Sequence, residues 1–102
     1  MASRLNLQDK LEEVLGSKQV YFQPPESLKL KYPCIVYSRS KIFSRKADDM
    51  VYHKMNRYTV TLIFKDPDSE IPDAIMDNFQ LITHDRQFMS NNLIHDVYTL
   101  YF

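Results

Sequence analysis

The apolar positions near the start of the chain repeat with the period of a helix. Four apolar side chains share one face: Leu7, Leu11, Val14 and Leu15. Asn6 is suited to cap the first turn, and Gly16 stands where a helix commonly ends. The pattern therefore predicts an amphipathic helix over residues 6–15.

Beyond this helix the apolar period changes to two, which is typical of β-strands. Strands are predicted at residues 20–22, 34–43, 57–64, 81–89 and 93–102. Between the third and fourth of them, a turn at Asp66–Ser69 precedes a second apolar stripe of helical period, which predicts a helix over residues 70–79. The last two strands flank Ser90–Asn92, whose asparagines tolerate the left-handed backbone of a tight turn.

The segment from Ser44 to Asn56 is polar and carries charges of both signs. It separates two strong strand patterns, so we interpret it as the extended tip of a β-hairpin. A connection of this length is about twice that of an ordinary hairpin loop, which favours a functional role.

This order of elements predicts a single α+β domain over residues 1–102. Runs of strands joined by short turns indicate a largely antiparallel β-sheet, with the two helices packed on it and the long β-hairpin projecting. A chain of 102 residues suits one domain with one modest core.

Composition argues against an enzyme that uses a nucleotide or another cofactor. The chain has a single glycine, whereas phosphate-binding loops need glycines so that the backbone can approach the ligand. Its one cysteine, Cys34, lies in an apolar run and is interpreted as a buried structural thiol. No stretch approaches the length of a transmembrane helix, and the expected compartment of folding is a cytoplasm. We expect neither cofactor nor catalysis.

Three histidines are the candidates for metal binding, and none is spaced to join another on one element. His84 and His95 fall on predicted neighbouring strands, with Asp85 and Asp96 beside them. Because adjacent residues of a strand point to opposite faces, exposed or interface histidines are the preferred interpretation.

The final strand is apolar or aromatic on both faces, and Tyr98 and Phe102 share one of them. A strand covered by helices on one side must still bury or present its other side. Aromatic surfaces are enriched at protein interfaces. The pattern therefore favours contact with another protein over a fully enclosed sheet, which remains the alternative.

Several stretches together resemble the tail-terminator or tail-completion (head–tail joining) proteins of long-tailed phages and prophages. The resemblance spans nearly the full chain and lies in structural stretches rather than catalytic motifs. These stretches are residues 7–11 (LQDKL), 20–25 (VYFQPP), 32–37 (YPCIVY), 57–61 (RYTVT), 66–72 (DPDSEIP) and 93–98 (LIHDVY).

The resemblance implies a structural virion assembly protein at the head–tail junction, assembled in the host cytoplasm. Such subunits form a ring, commonly hexameric, that ends the tail tube and presents a surface to a neck or head-completion protein. DNA passes through the ring, so weak contacts with DNA in the lumen are also expected. Ring closure needs two different patches on each subunit. The candidate interface residues are Arg45, Lys46, Asp48, Asp49, Lys54, Arg57, Tyr98 and Phe102.

Other functions remain open at this point. Within the same resemblance, the chain could be a neck adaptor on the capsid side. A small metal-dependent hydrolase that uses His84 and His95 belongs to a different class. A nucleic-acid-binding module is disfavoured, because thirteen basic and thirteen acidic residues give a net charge of zero and alternate along much of the chain.

Overall fold

The computed structural model describes residues 4–47 and 50–102, and the side chains of residues 4–40 and 56–102. The elements run in the order α1 (Arg4–Leu15), β1 (Val20–Phe22), β2 (Cys34–Ala47), β3 (Met50–Phe64), α2 (Ile71–Asn78), β4 (Ile82–Ser90) and β5 (Leu93–Tyr101). This is the α+β class that the sequence predicts. Neither described helix is both long and apolar enough to cross a membrane.

The strands form one sheet in the order β1-β2-β3-β5-β4. All neighbouring strands are antiparallel except β1 and β2, which are parallel and are joined by residues 23–33. The sheet is thus largely antiparallel, as predicted. The connection between the parallel strands contains no helix, and a turn within it is closed by a hydrogen bond from the amide of Leu28 to the carbonyl oxygen of Pro25 at 3.1 Å.

The ladder between β2 and β3 continues into the segment that the sequence analysis predicted as a hairpin tip. Ser44 pairs with Lys54, and Ala47 pairs with Met50. The backbone of residues 44–47 and 50–56 is therefore strand, and the predicted loop boundaries were wrong. Alternation reveals a strand only where one face is buried, and here Met50, Val51 and Tyr52 are consecutive within a charged segment, so polar and apolar residues do not alternate.

We call residues 41–47 and 50–55 the β2–β3 arm. Within the described chain, no third strand pairs with either side of this arm. In the body of the sheet, β5 pairs with β3 from Arg57–Tyr101 onward. On the other side, β1 pairs with β2 as far as Phe22–Tyr37.

Both helices pack on the same face of the sheet and bury its core. Leu7, Leu11 and Leu15 of α1 and Ile75 of α2 lie against alternate residues of the strands. At the centre of this core are three tyrosines on three strands, each at most 1% exposed: Tyr37, Tyr58 and Tyr98.

Gln8 fixes α1 against the edge of the sheet. Its Nε2 donates to the carbonyl oxygen of Val20 at 2.9 Å, and its Oε1 accepts from the hydroxyl of Tyr37 at 2.6 Å. Arg4 donates to the same hydroxyl at 3.2 Å. Buried polar groups are costly unless they are paired, so these bonds let tyrosine occupy an otherwise apolar core.

The opposite face of the sheet, which we call the open face, carries no helix among the described residues. One end of it holds a small cluster of Cys34, Ile63 and Leu93, against which Leu30 of the connecting segment packs. Cys34 is fully buried, as predicted, and this burial raises the pKa of its thiol to about 11.

The turn between β4 and β5 adopts the left-handed backbone that its sequence predicts. Asn91 and Asn92 have φ of 54° and 63°, which fits the mirror-image turn that matches the twist of hairpin strands. Replacing Asn92 with alanine is expected to destabilise the chain by about 1 kcal/mol, because a Cβ without a local polar partner disfavours this backbone. Replacing it with glycine should leave stability equal or higher. Urea unfolding of both variants measures this, and equal losses would contradict it.

Candidate assembly surfaces

Of the residues predicted to form the subunit interface, some lie in the β2–β3 arm and the others in the body of the chain. Arg45 and Lys46 lie on β2 and Lys54 on β3, within the β2–β3 arm. Their side chains, and all of Asp48 and Asp49, lie outside the described part of the structure. Arg57, Tyr98 and Phe102 are described, and each has contacts within the chain.

Arg57 is half-buried at the base of the β2–β3 arm. Its Nε donates to the hydroxyl of Ser40 at 3.1 Å, and that hydroxyl donates to the carbonyl oxygen of Arg57 at 3.0 Å. These two bonds join β2 to β3 where the ladder has a register shift. Arg57 therefore holds the arm to the body as well as carrying a charge.

Phe102 is half-buried and closes the core beneath α2. Its ring meets Phe79 edge to face, with centroids 6.2 Å apart. Its backbone pairs with Asn56, through hydrogen bonds of 3.0 and 3.1 Å.

Tyr98 is only 1% exposed and lies on the face that α2 covers. The structure thus places it in the core of this chain, not on a surface that a second molecule would contact. Burial, together with the nearby carboxylates of Asp96 and Asp73, raises the pKa of its hydroxyl.

Two neighbouring segments of the chain carry opposite net charge. Residues 38–57, which contain the β2–β3 arm, include six basic and two acidic side chains, whereas residues 65–77 include one basic and five acidic ones. The five acidic residues are all exposed, and we call them the acidic surface: Asp66, Asp68, Glu70, Asp73 and Asp77. Among the described side chains, none of them pairs with a lysine or arginine.

The two charged regions are joined by β3, which starts in the arm and ends at Phe64, next to the acidic surface. At about 3.3 Å per residue, a 15-residue strand separates its ends by at most roughly 46 Å. Asp66, Asp68 and Glu70 follow the far end of β3, whereas Asp77 at the end of α2 lies close in sequence to Phe79, whose ring meets Phe102 beside the base of the arm. In the sequence analysis only the net charge of the whole chain was considered, and the difference between these two segments was therefore not used.

A cleft of about 300 Å³ lies between α2 and the β4–β5 hairpin. At its base Asp96 is 2% exposed and accepts a hydrogen bond from Gln87 Nε2 at 2.8 Å. His84 Nε2 lies 3.1 Å from the same carboxylate oxygen, and its ring packs on Tyr98. Asp96 can orient the imidazole of His84, but the cleft contains no serine, threonine or cysteine among its described lining residues.

The two histidines considered for a metal site lie on opposite faces of the sheet. His84 meets Asp96 on the helix-covered face, whereas His95 stacks on Phe88, with ring centroids 4.7 Å apart, on the open face. They therefore cannot bind one ion together within a chain. No group of three or more metal-ligating side chains occurs among the described residues.

The outer edge of β4 is the remaining exposed feature, and the sequence analysis did not single it out. Eight of its nine residues are exposed, among them Phe88 at 41% and Met89 at 68%. The sequence could not show this, because the order of strands in the sheet decides which strand lies at an edge.

Comparison with models of known protein families and with curated protein sequences found no match to this chain.

Proposed function

We propose that this chain is a structural assembly subunit whose copies join head to tail in a ring that ends a phage tail tube and connects the tail to the head. The observation that carries the proposal is the opposite charge of two regions of the chain, the basic β2–β3 arm and the acidic surface that follows β3. A closed ring requires two different patches on each subunit, and complementary charge lets them select each other.

In this proposal the β2–β3 arm of one subunit meets the acidic surface of its neighbour. The arm is rich in lysine and arginine, and the acidic surface has no basic partner among the described side chains. Complementary charge steers association and fixes register more than it adds affinity. Asp48 and Asp49, near the turn of the hairpin in the sequence, would then set the register between subunits.

The first experiment measures ring formation on purified tail tubes, by negative-stain electron microscopy and by the length of the tubes. The native chain is expected to form rings at tube ends and to stop further polymerisation. Light scattering coupled to size exclusion shows whether rings of about six times 12.2 kDa already form in free solution. If tubes bind no chain and grow to the same length with it, the function is not tail termination.

Reversing charge on the acidic surface is expected to abolish ring formation. Asp68→Lys, Glu70→Lys and Asp77→Lys together would place positive charge against the arm of the neighbour, and like charges in contact disfavour assembly. None of these three carboxylates makes a side-chain hydrogen bond among the described residues, so the fold should persist.

A matched control and a rescue sharpen this test. Glu13→Lys with Glu26→Lys also reverses exposed carboxylates, but on other parts of the chain, and should leave rings intact. Mixing the triple variant with chains that carry Arg45→Glu and Lys46→Glu should restore assembly. Rings that form equally well from the triple variant would contradict the proposed contact, as would unchanged assembly after reversal of Asp48 and Asp49.

A neck adaptor on the capsid side would use the same kind of ring. It predicts binding to tail-free capsids in the same electron-microscopy assay and no effect on tube length. The two locations are thus separated by which particle the native chain binds.

A further inference from the structure

The sheet ends at β4, and within the described chain no strand pairs with its outer side. An edge strand leaves backbone N–H and C=O groups ready to pair with another strand. Its side chains are exposed along nearly the whole length from Ile82 to Ser90. The bulge and the side chains of β4 restrict which strand would fit this edge.

A β-bulge lies at the centre of β4. The pairing with β5 shifts by one residue between His84, opposite Tyr98, and Arg86, opposite Val97. Asp85 is therefore the extra residue. Bulges of this kind re-aim the side chains around them.

The bulge changes which side chains share a face. His84 and Gln87 both reach Asp96 on the helix-covered face, although three positions separate them. Asp85 accepts a hydrogen bond from Thr99 on the open face at 2.6 Å.

Arg86 also lies on the open face. Its guanidinium carbon is 5.7 Å from the ring centroid of Phe88, which stacks on His95 of the same face. Residues 82, 84, 87 and 89 thus share the helix-covered face, whereas residues 83, 85, 86 and 88 share the open face.

This arrangement is symmetric about the point between Asp85 and Arg86. When two copies of a strand pair antiparallel about a two-fold axis normal to the sheet, facing side chains must lie on the same side of it. In a regular strand, consecutive residues point to opposite faces of the sheet. A two-fold axis between two such residues would therefore pair each residue with one whose side chain lies on the other face. The bulge removes that conflict, since here Asp85 and Arg86 share a face.

We propose that β4 pairs antiparallel with β4 of a second copy of this chain, about a two-fold axis between Asp85 and Arg86. In this register Asp85 of each copy lies opposite Arg86 of the other, so the contact contains two charge-complementary pairs. The remaining cross-strand pairs are Thr83 with Phe88, His84 with Gln87, and Ile82 with Met89. Aromatic, β-branched and opposite-charge pairs of this type stabilise antiparallel strands.

Charges and bulges on an edge strand ordinarily prevent it from pairing. In β4, however, the two charges are adjacent and of opposite sign, and the bulge lies at the symmetry point. The same features that would repel an unrelated strand therefore complement an identical one. A second copy of this chain is the occupant whose sequence matches the edge at every position.

This contact is independent of the proposed ring. It is isologous and closes at two copies, whereas the ring contact is head to tail and uses the arm and the acidic surface. Either contact can be absent while the other forms. The β4 contact alone gives twice the mass of the 12.2 kDa chain, whereas the ring gives about six times that mass.

The test is a mixing experiment with two charge reversals, followed by light scattering coupled to size exclusion over a concentration series. The native chain is expected to reach twice 12.2 kDa as concentration rises. Asp85→Arg and Arg86→Asp should each weaken self-association at least about tenfold, because each places like charges opposite one another twice. An equimolar mixture of the two variants should dimerise again, since opposite charges then face each other.

Two matched readouts keep the result specific. Glu26→Lys reverses an exposed carboxylate that lies outside β4 and outside the acidic surface, and it should leave the dimer unchanged. Hydrogen exchange of the β4 amides should slow with concentration in the native chain but not in the Asp85→Arg variant, whose fold is checked by circular dichroism. The proposal is overturned if the native chain stays at 12.2 kDa throughout, if Asp85→Arg associates as the native chain does, or if the mixture associates no better than its components.

Discussion

Replacing Tyr58 with alanine is expected to destabilise the chain by about 3–5 kcal/mol, the range found when a buried aromatic side chain is removed from a core. Tyr58 is fully buried on the central strand β3. Its ring lies 6.0 Å from that of Tyr37, and the guanidinium of Arg39 covers it at 5.7 Å. The free energy of unfolding in urea measures the loss.

The matched control is Tyr58→Phe, which keeps the ring and removes only the hydroxyl. The one hydrogen bond described for that hydroxyl is a long one of 3.4 Å from the amide of Asn56. We therefore expect a loss below about 1.5 kcal/mol. If the phenylalanine variant were as unstable as the alanine variant, the ring would not be what Tyr58 contributes to the core.

Stability is expected to fall as pH rises from about 9 to 11. Burial raises the pKa of the Cys34 thiol from 9.0 to about 11, so the folded chain holds this proton more tightly than the unfolded chain does. The corresponding stability is fully present below pH 9 and is lost as pH rises through the folded pKa. The loss from this one group is about 3 kcal/mol. Burial also raises the pKa of Tyr98, which acts in the same direction.

Urea unfolding at a series of pH values, with Cys34→Ala as the control, isolates this contribution. The variant is expected to be less stable at neutral pH, because it leaves a small cavity, but its stability should fall less steeply between pH 9 and 11. Parallel profiles for the two chains would show that the Cys34 thiol ionises in the folded chain as readily as in the unfolded chain, which would contradict the prediction. Labelling of Cys34 by a thiol reagent under native conditions should be slow for the same reason.

The helices and most strands were predictable because each of them buries one face. The buried residues of α1 are four positions apart, as in a helix: Leu7, Leu11 and Leu15. Those of β3 are two positions apart, as in a strand: Tyr58, Val60 and Leu62. The arm was not predictable as strand, because its sequence shows no regular alternation of polar and apolar residues. The backbones of Ser44 and Lys54 nevertheless pair.

Tyr98 shows a second limit of sequence reasoning. A strand with apolar residues on both faces was interpreted as one that presents a surface to another protein. The structure places β5 inside the sheet, between β3 and β4, with Tyr98 in the core and Val97, 5% exposed, on the open face. Tyr98 is therefore a core residue, and contact of the open face with another protein stays a prediction.

The histidines show a third limit. The neighbouring positions of β4 and β5 were correct, but the faces of His84 and His95 depend on a bulge that appears only in the pairing. The edge of β4 was missed for a related reason, because strand order, not residue order, decides which strand lies at the edge of the sheet.

The position of β5 also determines when this sheet can form during synthesis. β2 and β3 pair as a hairpin of neighbours in the sequence, but the next strand beside β3 is β5, and β4 follows outside it. While residues 93–101 are still within the ribosome, β3 lacks its second neighbour and β4 has no strand to join. The tyrosine core therefore cannot close on the nascent chain until β5 has emerged to pair with β3.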